Sequence, residues 1–384
     1  MTPPPLSLYV HLPWCVRKCP YCDFNSHTAG DKPPKERYIK ALLADLGKEA
    51  ANAAGRELQS IFLGGGTPSL FSPDEINRVL QTVRQEFALA ANAEITMEAN
   101  PGTVECGSPA GYRDAGVTRL SIGAQSFNDD KLAALGRIHN SADIRRAVRD
   151  LKQAGFDNFN IDLMHGLPGQ SVEMALADLA AAVELEPTHI SWYQLTLEPN
   201  TVFHARPPKD LPDDDLAFEI QDNGQDLLRE HGFEQYEISA YARDGRHCLH
   251  NLNYWNFGDY LAVGAGAHGK LTTLAGVHRY QKAANPLQYM MQQELPAAEV
   301  DIAPLPAEDL MFEFMLNALR LNAGFLESDF IARTGLTAAD LMMASTTARQ
   351  KELIERNDDG SWQPTDLGRR FLNDLQSEFI VDRA

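Results

Sequence analysis

The stretch "LYVHLPWCVRKCPYCDFNSH" (8–27) holds three of the five cysteines of the chain, Cys15, Cys19 and Cys22, in a Cys-x3-Cys-x2-Cys spacing. Structural zinc normally takes four ligands, so a zinc site would need His11, His27 or a distant residue as the fourth. A redox pair of neighbouring cysteines would leave the third thiol without a role. Thiolates are also the usual ligands of iron–sulfur clusters. Three cysteines can hold three irons of a 4Fe-4S cube and leave the fourth iron open, which favours a cluster.

Strand-like runs and helical patterns alternate from this stretch to about residue 200. Such alternation predicts an α/β fold with parallel strands joined by right-handed crossovers, either a partial barrel or a wound sheet. The predicted strands are 6–14, 58–66, 93–101, 118–126, 159–168 and 189–200, and the helical stretches include 35–50, 73–87, 141–155 and 174–186.

Most of these strands end in polar or glycine-rich sequence, such as "GGGTPS" (64–69), "MEANPG" (97–102) and "GAQSF" (123–127). Ligands of parallel α/β folds bind at the carboxyl ends of the strands. The cysteine cluster follows the first strand, so these endings predict one shared site beside it.

Composition excludes several classes of protein. The chain has 384 residues and a net charge of −19, which argues against a general binder of nucleic acid. No apolar stretch approaches the roughly 20 residues of a membrane-spanning helix, and the amino terminus lacks the pattern of a signal peptide. An odd number of cysteines does not fit a disulfide framework, and we expect a reduced, cytoplasmic protein.

The cysteine spacing, with Tyr21 just before the last cysteine, resembles the radical S-adenosylmethionine (SAM) superfamily. The resemblance runs through the strand series and implies a partial (β/α)6 barrel. It also implies that the open iron is chelated by SAM, which one-electron reduction cleaves to a 5′-deoxyadenosyl radical. "GGGTPS" resembles the glycine motif that binds the methionine part of SAM, and Glu98 is placed to accept hydrogen bonds from ribose hydroxyls.

Within that superfamily the chain resembles the group that contains the oxygen-independent coproporphyrinogen III oxidases and the HemW haem chaperones. The resemblance implies a SAM pocket, with Arg137, Gln125 and Asp162 also candidates for a second SAM. The residues that it assigns to the pocket are Tyr9, Gly65, Gly66, Thr67, Glu98, Gln125, Arg137 and Asp162.

Two departures from the oxidases favour the chaperones. The oxidase motif continues as Cys-x-Cys, whereas Cys22 is followed here by Asp23 and Phe24. The oxidases also carry a longer segment before the cluster. We therefore expect coproporphyrinogen oxidase activity to be absent, with that oxidase as the alternative function.

The segment "HNLNYW" (250–255) matches the HNxxYW motif of the chaperone group. Histidine is a common axial ligand of haem iron, so His250 is the first candidate ligand, with Tyr254 and Trp255 packing on the macrocycle. His247 and Cys248 are the alternatives, and an ordinary structural histidine is an equal possibility. The partners that the resemblance implies are haem, a membrane-associated acceptor haem protein and an electron donor for the cluster.

The predicted organisation has three parts: a radical SAM core (1–240), a connecting segment with the HNxxYW motif (241–300) and a smaller C-terminal domain (301–384). Within the first two parts, a loop is expected over 201–212 and a strand over 234–242. Short helices followed by "DDGSWQPT" (358–365) resemble an α+β, winged-helix-like module. Its likeness to DNA-binding modules is not matched by a basic recognition helix, so a lid or partner surface is the better interpretation.

Overall fold

The computed structural model describes residues 3–102, 107–296 and 303–380. Cys106, which the sequence leaves without a partner, lies outside these residues. The strands are β1 (Leu6–Leu12), β2 (Trp14–Cys15), β3 (His27–Thr28), β4 (Leu58–Gly65), β5 (Leu89–Ala99), β6 (Arg119–Gln125), β7 (Phe159–His165), β8 (His189–Gln194), β9 (Glu234–Glu237), β10 (Ala240–Ala242), β11 (Asp259–Val263), β12 (His268–Thr273), β13 (Gly276–Gln281), β14 (Phe325–Leu326), β15 (Ile354–Arg356) and β16 (Ser361–Pro364).

The helices begin in the crossovers between these strands and continue through the C-terminal third. They are α1 (Lys35–Ala53), α2 (Pro73–Glu86), α3 (Pro109–Ala115), α4 (Asp129–Ala134), α5 (Ser141–Gln153), α6 (Val172–Glu184), α7 (Val202–Ala205), α8 (Asp214–Glu230), α9 (Leu249–Trp255), α10 (Pro286–Gln293), α11 (Ala307–Ala318), α12 (Glu327–Thr334), α13 (Ala338–Ala344), α14 (Thr346–Gln350), α15 (Asp366–Arg370) and α16 (Leu372–Ser377). No described helix is both long and apolar enough to cross a membrane.

Six parallel strands, in the order β1-β4-β5-β6-β7-β8, form the predicted partial barrel. Because all of them run the same way, their carboxyl ends meet at one edge, where the cysteine loop follows β1. The fold class expected from the sequence is therefore confirmed.

The sheet extends beyond the six strands on both sides. Strand β11 pairs in parallel with β1, and β12 and β13 follow it; on the other side, β10 pairs with β8, and β9 follows. Residues 259–281 of the predicted connecting segment are thus strands of the main sheet. The expected single strand 234–242 is wrong, because a turn at Ile238 and Ser239 folds it into the hairpin β9–β10.

The last part of the chain has its own core. Strands β14, β16 and β15 form a three-stranded antiparallel sheet, packed with α11 to α16 around buried residues that include Phe314, Phe330 and Trp362. Three antiparallel strands beside short helices fit the predicted α+β, winged-helix-like module.

Candidate functional site

The three clustered cysteines lie on and just after β2, at the carboxyl edge of the barrel. All three are half-buried, and Cys22 N donates to Cys19 O at 3.2 Å, which closes a tight turn between them. The hydroxyl of Ser26 lies 3.7 Å from the sulfur of Cys22. Burial raises the pKa of Cys15, and a hydrogen bond with Thr67 opposes that rise. Hydroxyl groups therefore lie beside the sulfurs of Cys15 and Cys22, as hydrogen-bonding groups lie beside thiolate ligands in metal sites.

Arg137 connects this loop to two neighbouring strands. Its guanidinium lies 3.6 Å from the sulfur of Cys19 and donates to Gly123 O at 2.8 Å. It also hydrogen-bonds Asn100, whose amide donates to Thr67 Oγ1 at 2.9 Å. Arg137 therefore holds the cysteine loop against β6 and the end of β5.

The two nearby histidines that could complete a zinc site already have hydrogen-bond partners. His11 bonds the Tyr9 hydroxyl through Nδ1 and Asn25 O through Nε2, each at 3.0 Å. His27 Nε2 bonds Asn25 Oδ1 at 3.2 Å. Within the described residues, no three His, Cys, Asp or Glu side chains come together to hold a single metal ion. In a 4Fe-4S cube each cysteine binds a different iron, so the three thiols fit a cluster better than zinc.

The glycine turn after β4 packs directly on the segment that carries the cysteines. Gly65 has φ +111°, and a β-carbon there would lie 2.3 Å from the His11 ring. A β-carbon on Gly66 would lie 2.6 Å from Trp14 O. Gly66 N donates to Leu12 O and Thr67 N to Trp14 O, both at 2.8 Å. The structure therefore gives these glycines a packing role, and their contact with SAM remains a prediction.

Two carboxyl groups with raised pKa values lie on barrel strands, Glu98 near the end of β5 and Asp162 within β7. Glu98 accepts from Gly65 N at 3.1 Å, and burial together with the nearby Asp162 raises its pKa to about 8. Burial also raises the pKa of Asp162, against hydrogen bonds from Ser121 and Asn160 at 2.9 Å and 2.7 Å. A cation bound beside these groups would favour their ionised forms. The ammonium and sulfonium groups of SAM are such cations, so these residues fit it.

Tyr9 and Gln125 lie on the same face of the barrel as these groups. The Tyr9 ring stacks on Phe62 with centroids 6.3 Å apart, and burial raises the pKa of its hydroxyl. Gln125 has φ +69° and accepts from the Tyr193 hydroxyl at 2.8 Å. A left-handed conformation is uncommon for a residue with a side chain, and it turns the chain at the end of β6.

His250 lies apart from the cysteine loop, on α9 rather than in a loop. It is 1% exposed; Nδ1 bonds Ser60 Oγ at 3.0 Å and Nε2 bonds the Tyr254 hydroxyl at 2.8 Å. Both ring nitrogens therefore have protein partners, and ligation of iron would require one of these bonds to break. Cys248 is equally buried, with its sulfur 3.6 Å from Glu94 and its pKa raised by burial to about 12. The His247 ring lies 4.3 Å from the Tyr236 ring, tilted by 31°.

Sequence reasoning missed two residues that connect the site. Asn100 bridges Arg137 to Thr67, and Tyr193 holds Gln125. Asn100 carried a usable signal, because it follows Glu98 at the same strand end. Tyr193 carried none, because an aromatic residue inside a buried strand is equally typical of a core.

Two family models match the chain. The radical SAM superfamily matches residues 9–181, which cover β1 to most of α6. The HemN C-terminal domain matches residues 305–371, in the winged-helix-like part.

Similar proteins cover the chain from end to end. A protein named heme chaperone HemW from Haemophilus influenzae is 50% identical over 384 residues, with 99% of both chains covered. Its namesake from Escherichia coli is 49% identical over 381 residues, again with 99% of both covered. The structure of coproporphyrinogen III oxidase (HemN) from Escherichia coli, a radical SAM enzyme, superposes with a TM-score of 0.80 at 25% identity and covers 98% of this chain and 90% of that one.

Proposed function

Because this chain belongs to the HemW family of the radical SAM superfamily, we propose that it is a haem chaperone, which binds haem and passes it to an acceptor haem protein. The observation that carries the proposal is the full-length identity of about half to two proteins with that name. The similarity includes the cysteine loop, the barrel and the C-terminal domain together.

Membership of the superfamily implies a 4Fe-4S cluster and SAM. Cys15, Cys19 and Cys22 would hold the cluster, and the Arg137 guanidinium lies 3.6 Å from the sulfur of Cys19. Glu98 and Asp162 would face the cationic groups of SAM, and Gly65 N holds the Glu98 carboxyl in place. When bound, the cluster supplies one electron to the sulfonium of SAM.

The second candidate function is oxygen-independent coproporphyrinogen III oxidation, which the structural similarity to the oxidase favours. Phe24 argues against it, because the resemblance places a further cysteine there in the oxidases. Its side chain is 58% exposed beside the cysteine loop, so an apolar ring stands where that thiol would be. We infer that the chain has no oxidase activity of its own.

The remaining partners follow from the chemistry of the proposed cofactors. A cluster that is reduced by one electron requires an electron donor, and the exposed Arg17 and Lys18 beside it favour an acidic one. The acceptor is proposed to be a haem protein at a membrane, and the chaperone itself to be cytoplasmic.

The test is a pair of assays on the anaerobically reconstituted protein. We expect haem to bind at about one per chain and to move to an apo-haem protein, as followed by the absorption spectrum of each partner. In parallel, coproporphyrinogen III with SAM and a reductant should remain unconverted. Conversion to protoporphyrinogen IX would favour the oxidase, and absence of haem binding would contradict the chaperone proposal.

A further inference from the structure

The residues just after Cys22 form a second turn of the cysteine loop, with Asn25 at its centre. Asn25 is half-buried, and Ser26 N donates to Phe24 O at 2.6 Å, which closes the turn. Ser26 itself is 5% exposed, and its hydroxyl lies 3.7 Å from the sulfur of Cys22. The position of Cys22 therefore depends on what holds this turn in place.

The side chain of Asn25 is hydrogen-bonded to three other positions. Its Nδ2 donates to Ala265 O and to Ala284 O, each at 2.9 Å, and these residues lie 240 and 259 positions later in the chain. Its Oδ1 accepts from His27 Nε2 at 3.2 Å. Ala265 follows β11, and Ala284 lies between β13 and α10. One amide group thus joins the cysteine loop to two parts of the connecting segment.

The backbone of Asn25 is held from β1 by His11. Burial lowers the pKa of His11 to about 4, so its ring is neutral near pH 7 and carries one hydrogen. Nε2 lies 3.0 Å from Asn25 O, and because a carbonyl only accepts, the hydrogen is on this nitrogen. Nδ1 therefore accepts from the Tyr9 hydroxyl at 3.0 Å. One imidazole thus connects the cysteine loop to Tyr9, which the resemblance assigns to the SAM pocket.

The turn 264–267, which receives Asn25, requires glycine at two positions. Gly266 has φ +76°, and a β-carbon there would lie 2.2 Å from Asn25 Nδ2. Gly264 has φ +104°, and a β-carbon there would lie 2.4 Å from His11 O. Gly266 N also donates to Ala283 O at 2.9 Å, which fixes the turn against the chain before α10. These glycines therefore let the turn approach the cysteine loop closely.

The other two thiols of the loop have supports of their own. Cys15 O accepts from Ala29 N at 2.9 Å, beside the β2–β3 pair. The sulfur of Cys19 lies 3.6 Å from the Arg137 guanidinium. Loss of the Asn25 hydrogen bonds should therefore affect Cys22 more than Cys15.

We propose that Asn25 is a positioning residue for the cluster, which holds Cys22 in place as a ligand by fastening the cysteine loop to the turn 264–267. Aspartate has the same size but would bring a carboxylate oxygen against two carbonyl groups, so the amide is required. The proposal rests on the proposed cluster and is independent of haem binding.

The first measurement is the rate at which an iron chelator removes the cluster from the reconstituted full-length protein. Asn25→Asp and Gly266→Ala should each lose iron at least about threefold faster than the wild type, because Cys22 leaves its iron more often. The matched controls are Asn223→Asp, which makes the same change at an exposed position of α8, and Gly232→Ala, where φ is +79° and a β-carbon would meet nothing within 4 Å. Both controls should lose iron at the wild-type rate.

The second measurement is alkylation of the cluster-free full-length chain by iodoacetamide, followed for each cysteine by peptide mass spectrometry. In Asn25→Asp and Gly266→Ala, the rate at Cys22 relative to the rate at Cys15 should rise by at least about threefold. A general loss of stability would raise both rates together and leave their ratio unchanged. The ratio therefore reports positioning rather than stability.

The outcomes separate this role from the proposed function. If the wild type holds a cluster but iron release and the alkylation ratio are unchanged in both variants, Asn25 does not position Cys22 and the proposed cofactors stand. If both alkylation rates rise together and the urea midpoint falls, the role of Asn25 is general stability and the proposal is overturned. If the wild type takes up no cluster, the proposed cofactor and this role are both overturned.

Discussion

The sulfurs of the cysteine loop have different neighbours but are held by the same short segment. Replacement of Cys15, Cys19 or Cys22 by alanine should abolish the cluster, because each thiol would hold its own iron. Iron and acid-labile sulfide per chain, measured after anaerobic reconstitution, test this. Cys248→Ala is the control, because that thiol is 1% exposed and lies beside Glu94, away from the loop. Retention of a full cluster in any loop variant would contradict the assignment.

Glu98 should make the stability of the cluster-free protein depend on pH. Its pKa is raised by burial and by Asp162, from an ordinary 4.5 to about 8. The folded state then binds a proton that the unfolded state has lost, so this contribution to stability is present below the ordinary pKa and is lost as the pH rises through about 8.

Glu98→Gln removes the titrating group and keeps the shape. The free energy of unfolding, measured with urea from about pH 5 to about pH 8, should therefore fall less steeply in the variant than in the wild type. Other buried carboxyls, such as Asp178, contribute to both proteins, so the difference between the two slopes is the measurement. Parallel curves would show that Glu98 does not titrate in this range.

At the scale of elements, the turn after β4 is held to the end of β1 by backbone contacts. Gly66→Ala would place a β-carbon 2.6 Å from Trp14 O and 2.8 Å from Leu12 O, which are also hydrogen-bond acceptors of this turn. We expect a loss of about 1–3 kcal/mol in the free energy of unfolding, measured with urea.

Gly47→Ala is the matched control for this change. Gly47 is exposed within α1, and a β-carbon there would meet nothing within 4 Å. Alanine should therefore stabilise the protein by about 0.5–1 kcal/mol through helix propensity. If both variants changed stability in the same direction, close packing of the turn would not be the reason for Gly66.

Elements with a strong local pattern could be predicted from the sequence. Five of the barrel strands and the major crossover helices lie within a few residues of their predicted positions, because alternation and capping act locally. The predicted strand 189–200 is wrong in its second half, because β8 ends at Gln194, and the expected loop 201–212 contains α7 (Val202–Ala205). Helix α9 could not be predicted, since its seven residues lack a side-chain cap and read as a loop. For the same reason, the HNxxYW motif identified residues 250–255 but did not predict that Ser60 and Tyr254 would enclose His250. Whether those residues and the SAM pocket residues bind ligands remains a prediction.

At the scale of the whole molecule, parts distant in sequence share one sheet. Strand β11 pairs with β1, and Asp259 at its start is fully buried and accepts from Arg56 at 2.7 Å and from Lys270 at 3.1 Å. No pattern near residue 6 signals a partner near residue 260, because parallel pairing across such a distance depends on tertiary packing. The predicted boundary at residue 240 lies where the series of strand-end motifs stops. The hydrogen bonds between β1 and β11 join residues on both sides of that boundary.

Truncated chains test whether residues 1–240 fold as a unit or require β11. A fragment of residues 1–240 would expose the β1 edge and remove Leu261 and Val263, which are buried in the same core as Leu8 and Val10. It should therefore fail to unfold cooperatively, or aggregate through the open edge. A fragment of residues 1–296 keeps β11 to β13 and α10, and it should show a cooperative urea transition by circular dichroism. Cooperative unfolding of the 1–240 fragment at the stability of the longer one would mean that the barrel folds without β11, and the boundary at residue 240 would then be a true domain boundary.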